Sequence, residues 1–141
     1  MTILKWSAMI CASVFVTAAL TTNAQSFASY VCTVKDLNGL REDGTIETDS
    51  AHLWIKEGST FVVERKTGKM SGDLSTDNWP GRIEVLDLGS SSQSYEAIHV
   101  TPPHIRVRLV VIKEYKKGNA KPFLVVDDTR MFTGTCRHGG G

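Results

Sequence analysis

Beyond the first two dozen residues, apolar and polar positions alternate in short runs, and turn dipeptides separate the runs at intervals of roughly eight to twelve residues. Such alternation puts every second side chain on one face of a strand. Tyr30, Cys32 and Val34 share a face in a first strand over 30–34. Over 51–57, Leu53 and Ile55 fall on one side, and His52, Trp54 and Lys56 on the other. Gly58-Ser59 links this run tightly to 60–66, where Phe61 and Val63 share a face with Arg65. Thr67-Gly68 turns the chain again into 69–74. Further runs rich in β-branched and aromatic residues occupy 82–88, 94–100, 105–115, 123–127 and 131–136. Asn38-Gly39, Asp43-Gly44 and Gly118-Asn119 carry turn chemistry, and Pro102-Pro103 interrupts a ladder for want of amide donors.

No window of this part shows convincing helical periodicity. Over 49–56 a second reading exists, in which Asp49 or Ser50 caps a short helix, but alternation favours a strand. The pattern therefore predicts an all-β single domain, an antiparallel meander of about eight strands closed as a barrel or stacked as a sandwich. Its predicted inward set is Leu53, Phe61, Val63, Leu109, Val111 and Phe123.

The first 24 residues follow a different logic. Lys5 supplies a positive start, the run from Met9 to Leu20 is almost wholly apolar or small, and Ala24 precedes Gln25. This is the layout of a secretory signal peptide cut after Ala24. The run is too short for a membrane span of ~20 residues, so no integral membrane anchor is expected. Cys11 leaves with the signal, and its surroundings make it a poor lipoprotein anchor. Cys32 and Cys136 remain, near either end of the mature chain. An even pair in an oxidising compartment predicts one bridge, first strand to last; redox thiols usually lie closer together. The mature domain is expected over 25–136, with 137–141 a frayed, glycine-rich tail.

Once Lys5 is removed, 15 basic residues balance 15 acidic ones, so charge gives no case for nucleic acid or an anionic membrane. Four segments resemble small exported proteins of Gram-negative bacteria that have no assigned activity. They are the hairpin from Phe61 to Gly72 (FVVERKTGKMSG), the run Val85 to Ser91, Lys121-Pro122-Phe123, and Thr133-Gly134-Thr135-Cys136. The resemblance implies a periplasmic or secreted bacterial protein. It brings no catalytic residue, and Glu64 stands where Asp is expected in the hairpin.

Candidate chemistry is sparse. His52, His99, His104 and His138 lack the spacing of a metal site, so no metal or other cofactor is expected. Asp127 and Asp128 are adjacent in sequence and point to opposite faces, a poor acid/base pair suited to a loop start. There is no Gly-x-Ser-x-Gly elbow and no phosphate-binding glycine loop, so no enzyme is expected. Lys113, Lys116, Lys117 and Lys121 surround the Gly118-Asn119 turn and read as a solvated hairpin tip. Trp54 and Trp79 are the better candidates. Trp54 should point outward, and Trp79 lies in a polar loop beside Pro80 and Arg82. Exposed tryptophans on loops suit contact with a partner. The expectation is an exported non-enzymatic module binding an envelope or secreted protein, or a glycan, with Trp79, Trp54 and Arg82 as contacts. The alternatives are an inhibitor of an envelope-degrading enzyme and a carrier of a small apolar ligand.

Overall fold

In the computed structural model, which describes residues 27–48, 54–103 and 106–140, turns divide the chain into nine antiparallel strands. They are β1 (Ser29–Leu40), β2 (Ile46–Thr48), β3 (Thr60–Glu64), β4 (Met70–Gly72), β5 (Arg82–Leu88), β6 (Tyr95–Thr101), β7 (Arg106–Ile112), β8 (Lys121–Asp127) and β9 (Arg130–Gly139). All belong to one sheet of order β4-β3-β1-β9-β8-β7-β6-β5, with β2 against the far part of β1. The sheet curls into a half-barrel. Its two edges meet through side chains: Arg65 of the β3–β4 hairpin donates from Nε to the Leu88 carbonyl at 2.8 Å and from Nη2 to that of Gly89 at 2.9 Å. Gly68, at φ 71°, presses its backbone so close to β5 that a Cβ there would stand 2.9 Å from Ile83 Cγ2.

Cys32 and Cys136 are bridged, as the sequence predicts, and they are direct partners in the β1–β9 ladder with Cα atoms 3.9 Å apart. Both are buried in the core beside Tyr30, Val34, Phe61, Val63, Phe123 and Val125. The Phe61 and Phe123 rings pack edge to face at 5.1 Å, filling the middle of the curl. Among the described residues no helix is long and apolar enough to cross a membrane; the expected signal peptide lies outside them.

Four local expectations need correction. Asn38-Gly39 is not a turn: it lies inside β1, held on both sides by β2 and β9, and sheet pairing overrides its turn preference. Trp54 to Glu57 is not a strand, although Ile55 is buried and Trp54 exposed as expected, and Leu53 lies outside the described residues. β7 has its faces reversed: Arg108, Val110 and Ile112 point inward, not Leu109 and Val111. The apolar run Leu109 to Ile112 suits either face, and an internal partner for Arg108 decides it. Finally, β9 runs past the expected start of the tail, pairing Arg137, His138 and Gly139 with Val31, Tyr30 and Ser29.

Candidate functional site

At the end of the curl where β7 begins and β8 stops, strand alternation delivers two charged side chains to the inner face. Arg108 of β7 and Asp127 of β8 lie across from one another in register. Both side chains are 5% exposed. Arg108 donates from Nη2 to Asp127 Oδ2 at 2.7 Å, and from Nη1 to the Leu74 carbonyl at 3.0 Å. Burial, the larger effect, lowers the Arg108 pKa, and the Asp127 charge opposes that shift. Arg106 grips the same carboxylate with two parallel bonds, Nε to Oδ1 at 2.9 Å and Nη2 to Oδ2 at 3.0 Å. A forked arginine–carboxylate pair of this kind is geometrically rigid. Asp127 thus ends its strand with both oxygens taken by arginines; Asp128 next to it forms the turn, at φ 58°.

Trp79 closes this ion pair from outside. Its loop is held by a bond from the Trp79 amide to the Thr76 carbonyl, and Thr76 in turn bonds β4 through Met70. The guanidinium carbons of Arg108 and Arg106 lie 4.1 and 4.9 Å from the Trp79 ring centroid. Cation–π attraction between such groups is strongest at tryptophan. Trp54 stands beside the same opening with 78% of its surface exposed. Between them lies a cleft of about 420 Å³, whose lining also includes Asp73, Arg130 and Phe132.

The two tryptophans singled out from sequence therefore meet at one cleft. Arg82 does not join them: it lies on β5, largely exposed, and pairs with Glu84 at 3.3 Å. The arginines that do line the cleft, Arg106, Arg108 and Arg130, were not among the sequence candidates. The available signal was the pattern Arg-x-Arg at the start of an apolar strand, with an acid ending the next one.

The described histidines do not assemble a site. His99 is buried in β6, with Nε2 3.0 Å from the Gly68 carbonyl. Burial, aided by the Arg108 charge, lowers its pKa to about 4, so it is neutral at physiological pH. His138 is at the opposite end of the curl, stacked on Phe27 at 3.6 Å and 2.9 Å from Glu114 Oε1. Lys121 also belongs there, not to the solvated hairpin tip: it is 8% exposed and donates to the carbonyls of Glu114 and Lys116. Near this cluster burial, the largest effect, raises the pKa of Tyr30, and the Glu114 charge adds to the shift. His52 and His104 lie outside the described residues. Among those residues no group of three His, Cys, Asp or Glu side chains is placed to hold a metal ion.

No family model, curated protein or solved structure matches the chain.

Proposed function

We propose that the protein is an exported, non-catalytic binding module that captures its partner at the cleft between Trp54 and Trp79. The observation that carries this reading is the convergence of two tryptophans from separate segments on one opening, with Trp54 left 78% exposed. A tryptophan at the rim of a concave opening supplies the large, rigid, amphipathic contact area typical of interface anchors. The buried Cys32–Cys136 bridge fits a periplasmic or extracellular, oxidising setting. The reading as an apolar-ligand carrier is weaker, because Phe61, Phe123, Tyr30 and Tyr95 fill the inner face. Inhibition of an envelope-degrading enzyme is the narrower form of the proposal, in which the partner is that enzyme.

Capture from envelope extract with the purified mature protein tests the reading. Trp54→Ala should leave the melting curve within about 0.5 kcal/mol of the parent, as for an exposed residue. It should weaken capture by about 2 kcal/mol, the scale of an interface hot spot. Trp79→Ala should reduce both capture and stability, because its ring covers Arg108. Undiminished capture by Trp54→Ala would remove the cleft from the function.

A further inference from the structure

Acidic and basic residues balance over the chain from Gln25 onward, but the fold does not mix them evenly. Strand pairing gathers the β3–β4, β5–β6 and β7–β8 hairpins and the last residues of β9 at one end of the curl. These segments touch. Arg65 donates to the Leu88 and Gly89 carbonyls, His138 lies 2.9 Å from Glu114, and a Cβ on Gly89 would stand 3.0 Å from Glu114 Cβ. Residues 64–69, 113–121 and 137–140 hold eight lysines and arginines against two glutamates, and 89–94 hold no charge. Asp87 and Glu96, one place in from the ends of β5 and β6, leave the excess positive. At the cleft end the balance is reversed: 41–48, 54–59, 73–82, 106–108 and 127–130 hold six basic residues against eight acidic ones.

Lys66, Lys69, Lys113, Lys116, Lys117 and Arg137 are all exposed at the basic end. Among the described residues none of the six forms an ion pair. Glu114 does not offset them, because its side chain is 11% exposed and turned to His138 and Lys121. Glu64 is exposed and accepts from the Thr67 hydroxyl. Lys121 pins the β7–β8 turn by donating to the Glu114 and Lys116 carbonyls, so the lysines at the tip stand on a fixed backbone. Two exposed apolar side chains, Leu88 and Tyr115, share this end, and Lys116 Nζ lies 5.8 Å from the Tyr115 ring centroid. Cations beside an exposed tyrosine and leucine suit a lipid surface, where ammonium groups meet phosphates and the apolar groups enter the boundary beneath. A soluble polyanion would use the lysines and leave Leu88 uncovered.

We propose that the basic end of the curl docks on an anionic lipid surface, with Lys113, Lys116 and Lys117 on headgroup phosphates and Tyr115 at the apolar boundary. The contact is peripheral and involves no covalent step. The cleft between Trp54 and Trp79 opens at the opposite end, so a docked molecule presents it away from the lipid. The docking surface does not depend on the reading of the cleft.

The test is sedimentation of the mature protein with vesicles of phosphatidylcholine alone and of equal parts phosphatidylcholine and phosphatidylglycerol. Starting the protein at Gln25 keeps the apolar run from Met9 to Leu20 out of the assay. Partition onto the anionic vesicles should exceed that onto the neutral ones at least tenfold. It should vanish between about 0.1 M salt, where charges act over ~10 Å, and about 1 M, where the range is ~3 Å. A lysine close to such a surface contributes about fivefold, so Lys116→Gln combined with Lys117→Gln should lose at least tenfold. Both positions are exposed, so the melting curve should not move. Lys56→Gln combined with Arg82→Gln removes the same charge at the cleft end and should change partition less than twofold. Tyr115→Ser should weaken partition several-fold and leave its salt dependence unchanged. Equal partition onto the two kinds of vesicle, or an equal loss from the two charge-removing pairs, would overturn the proposal. So would tighter binding of polygalacturonate or duplex DNA than of anionic vesicles, which would make the partner a soluble polyanion.

Discussion

At one end of the curled sheet, Arg108 and Asp127 meet at 2.7 Å under the Trp79 ring. At the other, Lys121, Glu114 and His138 meet where Phe27 stacks on the imidazole. Both ends bury a cation at the limit of the same apolar core. Lys121 is satisfied chiefly by backbone carbonyls of its own hairpin, at 2.8 and 2.6 Å, with the Glu114 carboxylate more distant at 3.8 Å. Arg108 depends on a carboxylate from the neighbouring strand, and that carboxylate also fixes a second, half-exposed arginine. One end uses its charge to seal a hairpin. The other uses charge to fix groups around an opening. A buried ion pair often adds little net stability, so its value here lies in where it holds Arg106 and Trp79.

That contrast is open to attack by substitution. Asp127→Asn leaves Arg108 buried with a neutral partner, and should cost about 3–5 kcal/mol in urea unfolding. A loss below about 1 kcal/mol would mean that the ion pair does not organise this end.

The second effect is a pH dependence at the same end. The folded-state pKa of His99, about 4, lies below the ~6.5 of an unfolded histidine. The unfolded chain therefore takes up the proton first as pH falls. Stability from this group is fully present above pH ~6.5 and is lost progressively toward pH ~4, by up to about 3 kcal/mol. Urea melts of the parent and His99→Gln at both pH values isolate it, since the variant should lack this part of the slope. Parallel curves would show that His99 is not held neutral.

Glu114→Gln, at the sealed end, should cost only about 1 kcal/mol, because Lys121 keeps two carbonyl partners and an amide still reaches His138. If this substitution matched Asp127→Asn, the two ends would not differ as described. Lys117→Ala, on the exposed hairpin tip, should fall within about 0.5 kcal/mol of the parent.

Much of the scaffold could be read from the chain. Period-two alternation located β3, β5, β6, β8 and the cores of β1 and β9, and the surviving cysteines predicted their own bridge. The candidate site was half legible. Trp54 and Trp79 stood out because large apolar rings among polar neighbours need an explanation. Arg106 and Arg108 did not, because a local reading puts a charged residue outside. The cost of burying Arg108 is offset by Asp127, which lies 19 residues away, and only strand pairing brings the two together. Lys121 differs, because its cation is met by the Glu114 and Lys116 carbonyls of its own hairpin, and the Asn38-Gly39 dipeptide misleads because long β1 pairing outweighs two residues of turn preference.

The position of β9 has a consequence for how the molecule is assembled. It lies between β1 and β8, so the N-terminal group β1–β4 and the C-terminal meander β5–β9 share one ladder seam, riveted by the disulfide. That seam requires the last strand to be made: β1 finds β2 and β3 early in synthesis, but its ladder with β9 waits until the final residues of the domain emerge. The remaining covalent link between the halves, 73–81, carries Leu74 and Trp79 and belongs to no strand. Ser29 and Gly139 are ladder partners, so the ends of the sheet are already side by side. A permutant joined there and opened within 73–81 would retain every strand pairing while cutting the segment that roofs the cleft. The roof of the cleft is thus a segment apart from every strand, yet it is anchored in the core through buried Leu74 and Thr76.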